Sequence, residues 1–114
     1  MDSILTSIKK LLGIAEDYEE FDTDIIIHIN TAFSKLNQLG VGPEEGFSIK
    51  DKTSVWTEFL ADAKNLESVK TYVYLVVRLV FDPPQSSAVM TSMENTVNQL
   101  EWRLNVAAEQ TSSS

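Results

Sequence analysis

Residues 65–84 read NLESVKTYVYLVVRLVFDPP, and whether this stretch is a strand or a helix decides the fold. Local propensity favours a strand, because Tyr72-Val73-Tyr74-Leu75-Val76-Val77 is β-branched and aromatic. Three features outweigh it. The segment runs for about sixteen residues, which is long for a strand. Glu67, Thr71, Tyr74 and Arg78 recur at helical spacing and form one polar seam, while Leu66, Val69, Val73, Val76, Val77 and Val80 form an inner face. Asp82-Pro83-Pro84 then closes the segment where a helix must stop, since the residue before a proline is pushed out of the helical region. The pattern predicts a central, mostly buried helix capped by Asn65.

The neighbouring segments carry the same periodicity. Toward the C-terminus, Ser86 or Ser87 caps a helix whose apolar positions Val89, Met93, Val97, Leu100, Leu104 and Ala107 follow at spacings of three and four. After Ala108 the residues are polar with nothing to bury, which predicts one helical domain over 1–108 and a flexible polar tail over 109–114. Toward the N-terminus, residues 54–60 suit a short helix with Trp56, Phe59 and Leu60 pointing one way. Before it comes VGPEEGFSIKDKT (41–53), a connection long enough to suggest a role beyond linking, in which Phe47 and Ile49 alternate with polar residues as a short extended piece would.

A further helix opens at Asp22, whose carboxylate can accept first-turn amides. Its stripe is Ile25/Ile26, Ile29, Ala32/Phe33, Leu36 and Leu39, and Gly40 ends it. Asp24, His28, Thr31, Lys35 and Gln38 take the opposite face, and Ile27 sits off the stripe. Residues 2–12 form a first helix, capped by Asp2 or Ser3, with Ile4, Leu5, Ile8, Leu11 and Leu12 on one face and Gly13 as its stop. The acidic residues 14–21, with Tyr18 and Phe21 embedded, link the two. The fold class is therefore all-α, a small bundle of about five helices with one long loop between the second and third.

Composition narrows the function. The 114 residues include no cysteine and one histidine, which excludes disulfides, thiolate metal centres and cysteine nucleophiles and makes a transition-metal site unexpected. Nine Lys and Arg against seventeen Asp and Glu leave a net charge of −8, the wrong sign for gripping nucleic-acid phosphates over a broad surface. Lys9-Lys10, Lys64, Lys70 and Arg78 are scattered among acids, so no helix offers a basic face to a groove. The longest apolar run, Tyr72 to Phe81, is broken by Arg78 and is about half of what a bilayer requires. Together with the lack of a signal-peptide pattern at the start, this points to use in a cytoplasm or in a particle assembled there.

Candidate chemistry is weak throughout. The acids Glu16, Asp17, Glu19, Glu20, Asp22 and Asp24 lack the glycine and distal glutamate of a calcium loop and read as a solvated or partner-facing segment. His28 has no nucleophile to serve and reads as a surface histidine. Gly40-Val41-Gly42-Pro43 places proline where a phosphate-cradling amide would be needed. No catalytic residue, cofactor or metal site is expected. What remains is action through surfaces, with the mid-chain loop and the seam Tyr72, Tyr74, Arg78, Trp102, Arg103 as the features to explain.

The run Val69-Lys70-Thr71-Tyr72-Val73-Tyr74-Leu75, continuing through Arg78-Leu79-Val80-Phe81-Asp82-Pro83-Pro84 and Ser86-Ser87 to Glu101-Trp102-Arg103-Leu104-Asn105, resembles the head–tail connector (adaptor, or head-completion) proteins of long-tailed phages and prophages. Phe21-Asp22 with Ile29-Asn30, Leu39-Gly40-Val41-Gly42 and Trp56-Thr57-Glu58-Phe59-Leu60 fit the same pattern in the same order. The likeness extends from about Ile4 to Asn105. It implies a non-enzymatic subunit of a ring, usually twelvefold, beneath the portal protein at the head–tail junction of the virion, assembled in the host cytoplasm. Such a ring would extend the channel through which duplex DNA passes without sequence-specific binding. It would dock the next head-completion stopper or tail protein, with no membrane partner. The resemblance also implies that the long loop contacts a neighbouring subunit or the channel.

Ring interfaces are heterologous, so two different faces of one subunit must match. Ile27, Phe47 and Ile49 are candidates for one face, and Lys70, Tyr74, Arg78, Glu101 and Arg103 for further contacts. Glu101 is expected to pair with Arg78 or Lys70 across the hairpin. Trp56, Phe81, Asp82, Pro83, Pro84 and Trp102 are expected to hold the fold, so that Trp102→Ala or Phe81→Ala loosens the subunit while changes at Phe47 or Ile49 spare folding and block assembly. Acids on a channel wall would repel phosphate and let duplex slide. A second reading is a small acidic helical adaptor or inhibitor, monomeric or dimeric, acting on a basic protein partner.

Overall fold

Five helices form: α1 (Ile4–Leu11), α2 (Asp22–Gln38), α3 (Trp56–Phe59), α4 (Ala63–Phe81) and α5 (Ser87–Ser112). The computed structural model describes residues 3–61 and 63–112. The strand-like hexapeptide is helical because burial overrides its propensity: Val69, Tyr72, Val73, Leu75, Val76 and Val77 are all buried, on more than half of the helix circumference. A continuous apolar run is what a helix enclosed on several sides requires. Two details differ from expectation. α4 begins at Ala63, so Asn65 lies inside its first turn rather than capping it. Val80 shares the stripe of Val73 and Val77 but is 61% exposed, because in the last turn the stripe has outrun the core.

α2 packs antiparallel to α4 through Ile25, Ile29, Ala32, Phe33 and Leu36, and Phe21 at its start meets Phe81 at the end of α4, ring centres 5.4 Å apart. Asp82-Pro83-Pro84 turns the chain, and α5 runs back along α4 on Val97, Leu100 and Leu104. α2 and α5 are thus parallel and flank α4. The Asn105 side chain donates to the Leu39 carbonyl at 3.1 Å and brings the last third of α5 level with the end of α2. The α5 helix continues to Ser112, so the polar segment expected as a flexible tail from 109 is helical that far; no glycine or proline follows Ala108 to stop it.

α1 lies against α2 and α4, and Trp56 joins it by donating its Nε1–H to Ser7 Oγ at 2.8 Å. Ser3 caps α1 by accepting from the Thr6 amide at 3.2 Å; the alternative cap, Asp2, lies outside the described residues. The buried face of α1 is Ile4, Leu5, Ile8 and Lys9, whereas Leu11, expected on that face, is 53% exposed. One core joins all five helices, and the chain measures 44 × 35 × 20 Å, a slab about two helix diameters thick.

The connection between α2 and α3 forms no strand at Phe47–Ile49. Among the described residues the β pairing is a single bridge between Ser3 and Val55. The Asn30 side-chain amide takes the place of a neighbouring strand: it donates to the Ile49 carbonyl at 3.0 Å and accepts from the Ile49 amide at 2.7 Å. Asn37 donates to the carbonyls of Pro43 and Glu44. Phe47 packs edge-on against Phe33 and Phe59, at 5.1 and 5.4 Å. The loop is folded back onto the helices that precede and follow it.

Candidate interaction surfaces

The acidic segment is organised by Lys9. Its ammonium, on a side chain only 3% exposed, donates to the carbonyls of Glu16 (3.0 Å) and Tyr18 (2.7 Å) and sits 2.8 Å from Asp22 Oδ1. Asp22 was expected to cap α2. Instead the residue before the helix is Phe21, no side chain caps it, and the Asp22 carboxylate turns to the buried cation. Asp22 Oδ1 has no well-directed hydrogen bond, so the Lys9 charge is what compensates its burial. A cleft of about 650 Å³ opens here, lined by α1, the acidic segment and residues 50–52. In the acidic segment Tyr18 donates its phenolic hydrogen to Glu20, which raises the phenol above its ordinary value. Thr53 donates its hydroxyl and then its amide to Asp51, which lowers that carboxyl. Among the described residues no group of three or more acids or histidines is placed to hold a metal ion.

The seam between α4 and α5 differs from the expected ion pair. Glu101 accepts from the Tyr72 phenol at 2.7 Å rather than pairing with Arg78 or Lys70. Burial, and then the bond to Glu101, push the Tyr72 phenol well above its ordinary range. Tyr72 lies on the side of α4 that faces α5, and the two cations do not. Lys70 rests 3.7 Å from Glu67 and 6.0 Å over the Trp56 ring, toward α3. Arg78 donates to the Tyr74 hydroxyl at 3.1 Å and to the Asp82 carbonyl at 3.3 Å, bracing the hairpin corner. Arg103 is exposed.

Of the residues expected to hold the fold, Trp56 is buried, Phe81 and Pro84 are half-buried, and Asp82 and Pro83 are exposed at the corner. Trp102 is the exception, 69% exposed on the outer side of α5. It follows Leu100 by two positions, which in a helix is a turn of about 200° away from the core. Ile27 is exposed, as its place off the stripe implies. Ile49 is 2% exposed and Phe47 is largely enclosed, so replacing either acts on folding before it reaches any neighbour. A second cleft of about 410 Å³ lies between Gly40, Val41, Phe59, Leu60, Leu104 and Ala108.

Sequence reasoning missed Lys9, Asn30 and the Tyr72–Glu101 bond. A signal existed for Lys9, which stands four residues after Leu5 on the apolar stripe and shortly before the acidic run. No pattern along the chain marks which loop residue Asn30 will clasp. The His28 ring lies 6.5 Å from that of Phe81, in an aromatic row with Tyr18 and Phe21. The surface carries an acidic end, a braced hairpin corner and two exposed outer helix sides. A family model described as phage connector protein matches residues 4–111. No curated protein and no solved structure gives a match.

Proposed function

Because this chain belongs to the phage connector protein family, we propose that it is the repeating subunit of a structural ring at the head–tail junction of the virion. The ring would sit beneath the portal protein, lengthen the DNA channel and offer its far side to the next head-completion or tail component. The family match over nearly the whole chain carries this reading. An all-helical slab with docking faces supports a structural rather than a catalytic part. No described helix is long and apolar enough to cross a membrane.

Charge supports a conduit. Six of the acids fall between residues 16 and 24, and Lys9 pins that segment to the subunit. Turned toward the lumen, its carboxylates would repel passing phosphates and keep duplex from adhering. A density map of the junction with this segment on the outside or against the portal would remove that part of the reading. The ring itself is tested by light scattering and negative-stain microscopy of the full chain, alone and with portal. Rings with a central hole are the expected result. A chain that stays monomeric and never joins a portal complex would act as the small acidic adaptor instead.

A further inference from the structure

Among the described residues, two sides of the slab have no partner within the chain, and they lie at opposite edges. α2 and α5 flank α4 as parallel neighbours, so each turns an outer side away from the core. On α2 that side carries the exposed Thr23, Ile27, Thr31, Ser34 and Gln38, with Ile27 at 55% exposure. On α5 it carries the exposed Thr91, Asn95, Asn98, Gln99 and Trp102. None of these ten side chains is charged, in a chain of −8. Copies of an acidic protein repel wherever their acids meet, and these are the faces on which they can close without that penalty. An exposed tryptophan on a neutral helix side is also the residue type that most often anchors an interface.

We propose that the outer side of α5, centred on Trp102, docks on the outer side of α2, centred on Ile27, of a second copy of this chain. The proposal rests on the ring reading and names its contact. Each copy then uses α5 toward one neighbour and α2 toward the other, which is the head-to-tail association that closes into a ring.

The two exposed apolar side chains set the register. The Asn105–Leu39 bond sets Trp102 level with Leu36, nine residues beyond Ile27 along α2. Copies docked without offset would bring Glu94 toward Asp24, like charge against like. An axial offset of about 14 Å, nine residues at 1.5 Å each, seats Trp102 on Ile27. The same offset carries Glu109 beside Lys35. One shift therefore brings both exposed apolar side chains together and sets Glu109 against Lys35.

The cysteine-free chain makes the test direct. Ile27→Cys/Trp102→Cys in the full chain is treated with a short bis-maleimide at concentrations where microscopy shows rings. A ladder of covalent multimers is expected. Each single variant should stay monomeric, and the two single variants mixed should give dimers and nothing larger. Trp102→Ala in the otherwise native chain should raise the concentration needed for assembly by about tenfold or more. Dimers from Trp102→Cys alone would mean that α5 pairs with itself and would overturn the proposal. A double variant that stays monomeric while rings are visible would remove this interface and leave the ring. Absence of both rings and ladder would remove the ring reading, and the interface with it.

Discussion

Replacing Lys9 with methionine keeps the length and the apolar stem of the side chain and deletes its charge. In the folded protein that charge serves three acceptors at 2.7–3.0 Å, two carbonyls and the Asp22 carboxylate. Removing one member of a fully buried ion pair destabilises by about 3–5 kcal/mol, because the other charge is left without compensation. Here the loss is smaller: the Asp22 side chain is 24% exposed and the two carbonyls belong to an exposed segment, so water can reach part of what the ammonium leaves. The expected cost is about 2–3 kcal/mol. For a chain of this length that is a fall in Tm of about 8–12 °C. Urea unfolding followed by far-ultraviolet circular dichroism gives the free energy, and hydrogen exchange at the amides of 14–21 should accelerate more than exchange in α4. Asp22→Asn and the double variant complete a thermodynamic cycle, with a coupling of about 1–2 kcal/mol expected. Should Lys9→Met lose less than about 0.5 kcal/mol, or the two changes simply add, Lys9 does not organise the segment and the reasoning is refuted.

Gly42→Ala should destabilise by about 2–3 kcal/mol, read as Tm, because φ is +89° and the new Cβ would stand 2.4 Å from Phe59 Cε1. That ring is held between Phe33 and Phe47 and has little room to yield. Tyr72→Phe removes the donor to Glu101 and should cost about 1–2 kcal/mol at neutral pH. Since the folded phenol titrates above its unfolded value, its stabilisation is complete below about pH 10 and declines above it by about 1.4 kcal/mol per pH unit. Stability measured on both sides of that pH should lose this alkaline slope in the Phe variant. Trp102→Ala should leave monomer stability within about 0.5 kcal/mol of the parent; a larger loss would show that the side chain packs within the subunit.

The helices were legible because each carries its own periodicity and stop signals. The α2 stripe and the Asp82-Pro83-Pro84 corner need nothing but spacing and backbone sterics, and α4 was recoverable because a patterned segment of about sixteen residues is too long for one strand. What escaped depends on facts that no local pattern carries. Trp102 is expected from its helical position to hold the fold, yet standing two residues past Leu100 turns it outward. Phe47 and Ile49 alternate with polar residues as in a short extended piece, and only the reach of Asn30 across nineteen residues shows that the loop closes inward. Glu101 was matched to the nearest cations by charge alone. The partner it has is a phenol on the facing side of α4, a choice settled by rotation about the helix axis. The connector resemblance was legible as an ordered set of short motifs, and the family match over 4–111 rests on the same span.

The two tryptophans stand in opposite surroundings, and this gives the protein a pair of built-in optical reporters. Trp56 is sealed in the core with its indole hydrogen on Ser7, so its emission should be blue-shifted in the folded chain and move to the red when the chain unfolds. Trp102 already faces water, so unfolding should change its emission little and contact with another surface should change it strongly. A quencher dissolved in the buffer would reach the second indole and not the first. Two signals from one unlabelled chain would therefore separate loss of structure from engagement of the surface.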